Sequence, residues 1–441
     1  MARPWLFALL ALLLSGPAAA QSGPVTVYRG ATLIDGTGAA PRRGMAITVE
    51  GERIVRVAPA ADPVPKGAAI VDVRGLYVLP GLIDSHVHLA SPPNRKRAEA
   101  EMRRWLYGGV TAVRDMADDT RAVGELARRA RSGDIAGPDI GFAALMAGPS
   151  FFDDPRTIAA SLGGVPGKVP WMQAITPRTD LIAAVAAARG TGARAIKIYA
   201  NLSGETVAAI TAEAHRQGLL VWAHAMVFPA TPTQVIDAGV DGVSHICYLA
   251  YQFNAVKPGS YAEQRPVELA PFAAPGDHAG MAGLFAAMKA RHILLDPTLR
   301  VYAEEARRGD SVRRCPIGLA ERLTLQAWRA GVAVSAGTDG FTASRDPWPS
   351  LYEELVLLAK AGMPPLAVIH SATEQGAVAL GWDQDMGTVA VGKLANLLFV
   401  RKNPAADLGN LRSVVFVVKR GKSFARRDYG AIALGEIWGP E

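Results

Sequence analysis

Two histidines separated by one residue, His86 and His88, are the residues of this chain best suited to chemistry. They close the run Leu79-Pro-Gly-Leu-Ile-Asp-Ser-His-Val-His-Leu89, whose apolar start is typical of a buried strand in a parallel sheet. Alternate residues of a strand point to the same face, so both imidazoles can bind one metal ion. An isolated pair of this kind is weak support, and the metal hypothesis depends on residues further along the chain.

Other polar residues occupy the ends of later apolar runs. Lys197 lies between two isoleucines in Ile196-Lys-Ile-Tyr199, His224 and His245 end two further runs, and Asp339 closes Ala336-Gly-Thr-Asp339. Burying an unpaired ammonium costs several kcal/mol, so Lys197 needs a partner or a chemical modification. Because parallel barrels carry their chemistry at the strand ends, these residues together with the first pair predict a metal site.

The segment from Gly81 to Asp339 alternates short apolar runs with stretches in which apolar residues recur at three- and four-residue spacing. This alternation is typical of strand–helix units and a parallel sheet. It predicts an α/β fold with a closed (β/α)8 TIM barrel. An open doubly wound sheet is disfavoured because the sequence has no glycine-rich phosphate fingerprint. The predicted strands are Leu82–His88, Thr111–Asp115, Ile140–Leu145, Ala195–Tyr199, Leu219–His224, Gly242–His245, Ile293–Pro297 and Val332–Asp339.

The two flanks of this segment are short strand-like runs punctuated by glycine and proline. They predict one small β-sandwich domain, formed by residues 21–79 together with 387–441, beside a barrel domain at 80–386. The stretches 146–177 and 251–280 are long for loops of a compact domain. Each follows a barrel strand, so we expect both loops over the mouth of the barrel.

Composition and charge narrow the class of partner. Half of the 441 residues are hydrophobic, enough for the core of a large barrel with an accessory domain. The net charge of +7 comes from basic residues dispersed along predicted helices, without a nucleic-acid-binding motif. No stretch after the N terminus is long and apolar enough to span a membrane. We therefore expect a small-molecule substrate, and neither nucleic acid nor a membrane as partner beyond export.

Residues 1–20 have the features of a cleavable signal peptide. The apolar run Leu6–Leu14 is too short to span a bilayer, and Ala18-Ala-Ala20 before Gln21 fits a small-residue cleavage site. This predicts a periplasmic or secreted protein, with an uncleaved, membrane-anchored terminus as the alternative. Export permits oxidation, so the two cysteines, Cys247 and Cys315, allow one disulfide, which the sequence leaves open.

These motifs together resemble the amidohydrolase superfamily, close to its imidazolonepropionase-like and Xaa-Pro-dipeptidase-like members. The resemblance extends over nearly all of the chain after residue 20. It rests on Gly30-Ala-Thr-Leu-Ile-Asp-Gly36, the His86–His88 run, Gly109-Val-Thr-Ala-Val-Arg-Asp115, Lys197, His224, His245, the Gly-Thr-Asp339 turn and Gly387-Thr-Val-Ala-Val-Gly-Lys-Leu-Ala-Asn396.

The resemblance implies a site for two divalent metal ions, usually zinc. His86 and His88 would bind one ion, His224 and His245 the other, and Lys197 would bridge them as a lysine carbamate. Asp339 would bind the first ion and act as the catalytic acid and base. A carbamate turns a buried cation into an anionic oxygen ligand, which explains how a lysine is tolerated there.

Three departures from the family pattern are visible, one of which, Glu-Gln in Ser371-Ala-Thr-Glu-Gln375 where relatives often show an asparagine, carries no functional expectation. The closing motif ends in Asn396 where relatives usually carry an aspartate. After the third barrel strand, a glycine- and histidine-containing segment typical of dipeptidase-like relatives is replaced by Met146-Ala-Gly-Pro-Ser-Phe-Phe-Asp-Asp154. This replacement removes a familiar substrate contact.

Two further groups of residues lie at the predicted strand ends. Asp84, Arg114 and Asp115 are expected to orient the metal ligands by hydrogen bonds. Tyr199, Tyr248 and Arg300 are expected near the substrate, and the guanidinium fork of Arg300 could bind a carboxylate. The remaining histidines, and Cys247, are expected to have structural roles.

The leading functional prediction is a binuclear metal-dependent hydrolase of an amide or peptide C–N bond, in a dipeptide or an N-acyl amino acid. Alternatives are a mononuclear cyclic amidohydrolase or deaminase of the imidazolonepropionase type, against which Lys197 argues, and a lactone or phosphotriester hydrolase with the same metals. A binding protein on an inactive barrel would require loss of ligands, and all six are present. By analogy with relatives, a homo-oligomer is an open alternative to a monomer.

Overall fold

A computed structural model describes residues 24–91, 93–263, 265–309, 315–340 and 346–437. The predicted signal peptide lies outside the described residues. In chain order, the strands are β1 (Val25–Leu33), β2 (Arg42–Glu50), β3 (Arg53–Pro59), β4 (Ala69–Asp72), β5 (Tyr77–Pro80), β6 (Leu82–Val87), β7 (Val110–Asp115), β8 (Asp139–Ala147), β9 (Lys168–Val169), β10 (Met172–Ala174), β11 (Ala195–Ile198), β12 (Leu220–His224), β13 (Gly242–Ser244), β14 (Leu294–Asp296), β15 (Leu397–Val400), β16 (Val414–Lys419) and β17 (Lys422–Ala425).

The strands at the two ends of the chain form one mixed sheet, in the order β17-β16-β15-β5-β1-β2-β3, with β4 beside β1. The N- and C-terminal flanks meet where β15 runs antiparallel to β5, with Leu397 opposite Pro80. The apolar face of this sheet has its own core, in which the rings of Tyr28, Phe399 and Phe416 pack at centroid distances of 4.3–6.0 Å. This is the predicted small β-sandwich of both flanks.

The middle of the chain forms the barrel. Strands β6, β7, β8, β11, β12, β13 and β14 run parallel, each paired with the next. Every residue of β6, β7, β8 and β11 is buried, as expected for strands covered on both faces. In the loop after β8, β10 runs parallel to the end of β8, and β9 pairs with β10.

The eighth predicted strand, Val332–Asp339, is an extended segment with a single bridge between Val334 and Leu295. Its hydrogen bonds go to different neighbours: Ser335 N donates to Leu295 O at 2.9 Å, whereas Ala336 O accepts from Ser85 N at 2.8 Å. A continuous ladder therefore does not form with either neighbour. The segment nevertheless joins β14 to β6 and closes the barrel.

Helices surround the barrel strands. They are α1 (Arg95–Tyr107), α2 (Thr120–Ser132), α3 (Pro155–Ala160), α4 (Leu181–Gly190), α5 (Gly204–Arg216), α6 (Pro232–Asp237), α7 (Ile246–Ala250), α8 (Ala279–Ala290), α9 (Leu299–Arg307), α10 (Ile317–Arg329), α11 (Leu351–Ala361), α12 (Pro365–Ser371), α13 (Glu374–Leu380) and α14 (Leu434–Ile437). Side-chain caps fix several starts: Asp119 accepts from Arg121 N at the start of α2, and Ser203 from Thr206 N at the start of α5. Within the described ranges, no helix has the length and apolar character needed to cross a membrane.

The two cysteines form a disulfide, which answers the question left open by the sequence. Cys247 in α7 is bonded to Cys315, 68 residues further along the chain and just before α10. Both side chains are buried. The bond ties α7, which begins directly after His245, to the outer helices of the barrel.

Candidate metal centre

The carboxyl ends of the barrel strands bring the predicted metal ligands together. His86 lies in β6 and His88 just after it, and Asp339 follows the closing segment. Asp339 Oδ1 lies 3.3 Å from the Nε2 atoms of both His86 and His88. The candidate ligand atoms of these three residues lie within 4.8 Å of one another, as required for binding one ion.

The other two histidines lie next to each other, and His245 packs on His86 with ring centroids 5.4 Å apart. His224 ends β12 and His245 follows β13, and their ring centroids are 4.8 Å apart. His245 Nε2 lies 3.7 Å from Asp339 Oδ2. The Asp339 carboxylate therefore has one oxygen toward the first pair of histidines and the other toward His245.

Lys197 lies in β11 and is fully buried. Its Nζ donates one long hydrogen bond, 3.5 Å, to Ser244 Oγ, and among the described residues it has no ion pair with a carboxylate. Burial disfavours the ammonium and lowers the pKa of Lys197 to about 7, with a further contribution from the nearby Arg114 guanidinium. The structure thus leaves a buried lysine without the partner that its sequence context requires.

Three of the four imidazoles are held by a hydrogen bond at Nδ1. His86 Nδ1 lies 2.7 Å from Asp296 Oδ2, and His88 Nδ1 lies 3.0 Å from Asp118 Oδ1. His245 Nδ1 lies 2.9 Å from Thr298 Oγ1. Such contacts set the ring orientation and leave Nε2 directed at the centre.

His224 is the exception, because its Nδ1 is buried and has no hydrogen-bond partner among the described residues. Most buried polar groups are hydrogen-bonded, so an orphaned ring nitrogen on an imidazole that packs on His245 calls for an explanation. Metal ligation is consistent with it, since neutral imidazole is a common metal ligand. Burial lowers the pKa of His224 well below its usual value, which favours the neutral ring.

The residues expected to orient the ligands contact backbone groups and another carboxylate. Asp84 Oδ1 accepts from the backbone N–H of His86 at 3.1 Å, and Asp115 Oδ2 from that of Leu89 at 3.0 Å. Arg114 donates to Asp296 Oδ2 at 3.2 Å and to the backbone oxygen of Ser85. These three residues fix backbone and carboxylates rather than the rings themselves.

The groups that do contact the rings, Asp296, Asp118 and Thr298, were missed by the sequence analysis. Asp296 lies inside the predicted strand Ile293–Pro297, and a polar residue at the end of a barrel strand was an available signal. Asp118 lies three residues beyond β7, where no periodic pattern singles it out.

Close backbone packing is also required at the centre. A Cβ on Gly337 would lie 2.3 Å from Asp296 Oδ1 and 2.8 Å from His86 Cβ, so only glycine fits there. His245, Thr298 and Asp339 have positive φ angles of 70°, 51° and 41°. Such conformations are costly for non-glycine residues and concentrate at functional sites.

The predicted substrate residues have different surroundings. The Tyr199 ring packs 4.0 Å from that of His224, and Tyr248 packs 5.2 Å from His245. Both tyrosines therefore line the centre. Arg300 lies in α9, where its Nε donates to Glu353 Oε2 at 3.0 Å, so its guanidinium is engaged by a carboxylate of the protein.

A cavity of about 240 Å³ opens beside the centre. Both long loops contribute to this region, as the sequence predicted: Phe151 and Met172 come from the first, and Tyr261 of the second packs 5.7 Å from Tyr199. The lining consists of His88, Ser91, Met116, Ala117, Leu145, Phe151, Arg156, Thr157, Met172, Tyr199, Asp339 and Gly340.

The sequence matches a known protein family. The model of the amidohydrolase family matches residues 77–424, most of the chain and every residue of the centre. The chain belongs to the amidohydrolase family. In this amidohydrolase, the candidate metal ligands lie at the strand ends of the closed parallel barrel.

Curated relatives match the amidohydrolase over short segments only. It is 45% identical over 87 residues to an N-acyl-D-aspartate deacylase of Alcaligenes xylosoxydans xylosoxydans, covering 20% of this chain and 16% of that protein. It is 40% identical over 100 residues to an imidazolonepropionase of Micrococcus luteus, covering 21% and 24%. The chain thus spans less than a quarter of the length of these two relatives.

Solved structures match over nearly the whole chain. A Xaa-Pro dipeptidase with methionine bound in its active site has a TM-score of 0.69 and 22% identity, covering 91% of this chain and 100% of that one. The ochratoxinase of A. niger has a TM-score of 0.72 and 20% identity, covering 94% and 98%. At this identity, the likeness establishes the shared fold.

Proposed function

We propose that this amidohydrolase uses two divalent metal ions, zinc by preference, to hydrolyse an amide or peptide C–N bond of a dipeptide or an N-acyl amino acid. One observation carries the proposal: Asp339 Oδ1 lies 3.3 Å from Nε2 of both His86 and His88, and its Oδ2 lies 3.7 Å from His245 Nε2. His224 packs on His245, and Lys197 is fully buried. The similarity to a Xaa-Pro dipeptidase and to an N-acyl-D-aspartate deacylase supports the same class of bond.

The donor set fits two ions. His86, His88 and Asp339 would hold the first, and His224 and His245 the second. Lys197 would bridge them after its neutral amine forms a bond to the carbon of CO2 and loses one proton, giving a carbamate anion. The buried Nδ1 of His224 is a polar group without a hydrogen-bond partner among the described residues, and the carbamate of Lys197 would supply anionic oxygens to the ions.

When bound, two divalent ions lower the pKa of a water and polarise a carbonyl group. Asp339 then has the position of a general base: one of its carboxylate oxygens accepts the proton of the attacking water. The same carboxyl group donates that proton to the leaving nitrogen, so the C–N bond breaks with release of a neutral amine. Tyr199 and Tyr248, packed on the histidines, shield this proton transfer from bulk water.

The test is the metal content of the purified protein, measured by plasma mass spectrometry, followed by a screen of dipeptides and N-acyl amino acids for amine release. We expect two ions per chain and turnover of members of the panel. One ion per chain, with activity on cyclic amides or amino-heterocycles, would favour the imidazolonepropionase type. Turnover of lactones or phosphotriesters alone would reassign the reaction, and no bound metal after growth with added metal would contradict the proposal.

Replacing Lys197 tests the carbamate. We expect Lys197→Ala to lose both metal and activity, because the second ion loses its bridging ligand. Short carboxylic acids added to the variant should restore part of both, whereas the same acids should leave the wild type unchanged. Two ions and full activity in Lys197→Ala would contradict a bridging role.

The N-terminal segment remains a separate proposal. Residues 1–20 would direct export and be removed, giving a mature chain that begins at Gln21. The Cys247–Cys315 disulfide supports this, because disulfides persist in oxidising compartments. The intact mass of protein from the periplasmic fraction tests it, and an uncleaved mass in the membrane fraction would favour the anchored alternative.

A further inference from the structure

Helix α9 begins beside the metal centre, and the residue before it does not cap it in the usual way. Thr298 has a left-handed backbone, with φ 51° and ψ 49°, and its side chain makes no capping hydrogen bond. Threonine at this position normally caps a helix by accepting from its second or third N–H. Here Thr298 Oγ1 lies 2.9 Å from His245 Nδ1 instead. The hydroxyl suited to capping the helix thus contacts a candidate metal ligand.

A glutamate from another helix caps α9 in its place. Glu354 lies in α11 and is fully buried. Its Oε1 accepts from Leu299 N at 3.0 Å, and its Oε2 accepts from Arg300 N at 2.7 Å. The next N–H, that of Val301, donates to Thr298 O at 3.1 Å. The first three N–H groups of α9, which have no partner one turn earlier in the helix, are therefore satisfied without the Thr298 hydroxyl.

The backbone before α9 also holds the main chain of His245. His245 N donates to Asp296 O at 2.9 Å, and Ile246 N donates to Pro297 O at 3.3 Å. The main chain and the ring of His245 are thus both bound to the three residues before α9. A displacement of these residues would move the ring relative to the metal position.

We propose that Glu354 is a positioning residue for the second metal ion: by capping α9 from α11, it leaves the Thr298 hydroxyl to orient His245. This rests on the proposed function, in which His245 is a ligand of that ion. With His245 Nε2 on a metal ion, Nδ1 carries the hydrogen, so Nδ1 donates and Thr298 Oγ1 accepts. Without Glu354, the first two N–H groups of α9 would lose their acceptors, and capping by Thr298 would compete with its contact to His245.

The adjacent glutamate of α11 also contacts α9, but in a different way. Glu353 accepts from Arg300 Nε at 3.0 Å and from Arg307 Nη1 at 2.6 Å. These contacts join side chains of the two helices and do not involve the first N–H groups of α9. Glu353→Gln is therefore the matched control, because it weakens the packing of α11 on α9 and leaves the cap of Glu354 in place.

Competition with a chelator measures the affinity of each ion in the wild type and the variants. The titration step of the second ion is the one missing in His224→Ala. We expect Thr298→Val, which keeps the shape and removes the hydroxyl, to weaken the second ion by roughly 10- to 100-fold. Glu354→Gln replaces one of the two acceptor oxygens by an N–H2 group, so it should weaken the same ion and affect the first ion less. Glu353→Gln should leave both affinities unchanged.

The double variant Glu354→Gln/Thr298→Val separates positioning from a general loss of structure. If Glu354 acts through Thr298, its replacement should change the second affinity by no more than about twofold once Thr298 is valine. If Glu354 stabilises the fold only, the two losses should multiply. Glu354→Asp keeps the carboxyl group but shortens its reach, so it should weaken the second ion as well, and it serves where Glu354→Gln does not fold.

A second measurement does not depend on bound metal. In metal-free protein with isotope-labelled histidine, the ring nitrogen signals of His245 are assigned by their loss in His245→Gln. Glu354→Gln should shift these signals in the same direction as Thr298→Val does, whereas Glu353→Gln should leave them in place. Unshifted signals in Glu354→Gln would contradict its role.

The outcomes separate the two proposals. A wild type that binds fewer than two ions contradicts the proposed function, and the His245 signals still decide whether Glu354 positions the ring. A wild type with two ions, in which Glu354→Gln has an unchanged second affinity, contradicts the role of Glu354 alone. Losses that multiply in the double variant contradict it as well.

Discussion

Asp296 is the residue that connects His86, Arg114 and Ser244 beside the centre. Its Oδ2 contacts His86 Nδ1 at 2.7 Å and accepts from both Arg114 and Ser244 Oγ at 3.2 Å. Burial raises the pKa of this carboxyl, but the contacts with His86 and the Arg114 guanidinium hold it below its usual value. It is therefore an anion that fixes the tautomer of His86 and directs Nε2 toward the metal position.

Replacing Asp296 by asparagine tests this role. The amide keeps the shape but loses the charge, so His86 is held less firmly and Arg114 loses its anion. We expect metal affinity to fall by about 10- to 100-fold, measured by competition with a chelator. Asp241→Asn is the control, since Asp241 Oδ2 contacts His215 Nε2 at 2.8 Å on the surface. Equal affinities in the wild type and Asp296→Asn would contradict the assignment.

At this scale the sequence singled out the candidate ligands that the fold brings together, but it did not identify the groups that hold their rings. The six candidate ligands could be selected because histidine, lysine and aspartate are unusual within apolar runs. Asp118 follows β7 in an irregular loop, where position in the sequence does not determine position in space. Arg300 illustrates the reverse case, because a predicted carboxylate-binding arginine is engaged by Glu353 in the fold.

At the scale of elements, the strand pattern was largely predictable. The first seven predicted barrel strands occur with ends shifted by a few residues, since continuous apolar runs reflect burial on both faces. The eighth did not form a regular strand, because its hydrogen bonds are divided between Leu295 on one side and β6 on the other. Pairing of that kind depends on the closed barrel and not on the local sequence.

The disulfide that holds helix α7 is expected to contribute to the stability of the protein. Cys247 lies two residues after His245, and its bond to Cys315 ties this short helix to the chain before α10. Breaking a cross-link that spans 68 residues releases conformational entropy in the unfolded chain, worth roughly 2–4 kcal/mol. We expect Cys315→Ser to lower the free energy of unfolding by that amount in urea titrations.

A reductant separates the loss of the bond from the loss of packing. Reduction should destabilise the wild type to the level of Cys315→Ser and should leave the double variant Cys247→Ser/Cys315→Ser unchanged. A wild type whose unfolding does not respond to complete reduction, measured by thiol counting, would show that the bond contributes nothing to stability.

At the scale of the molecule, a buried charge cluster joins the barrel to the flanking sheet. Asp139, the first residue of β8, contacts Lys419 Nζ at 3.1 Å and Arg420 Nε at 2.9 Å. Lys419 ends β16 of the sandwich, and its Nζ also donates to Ala130 O at 2.7 Å. The sequence indicated two domains, but it gave no sign of this contact, because the partners lie some 280 residues apart in the chain.

Asp139→Ala should destabilise the whole protein. The Asp139 side chain is only 5% exposed, so its removal leaves the Lys419 ammonium buried without its carboxylate partner, at a cost of about 3–5 kcal/mol. Glu52→Ala is the matched control: Glu52 pairs with the same Arg420 at 2.9 Å, but its side chain is 58% exposed, so the expected loss is below about 1 kcal/mol. Urea unfolding followed by tryptophan fluorescence measures both. Equal losses of unfolding free energy in the two variants would mean that burial does not decide the strength of this contact. A second unfolding transition in Asp139→Ala alone would show that the sandwich then unfolds separately from the barrel.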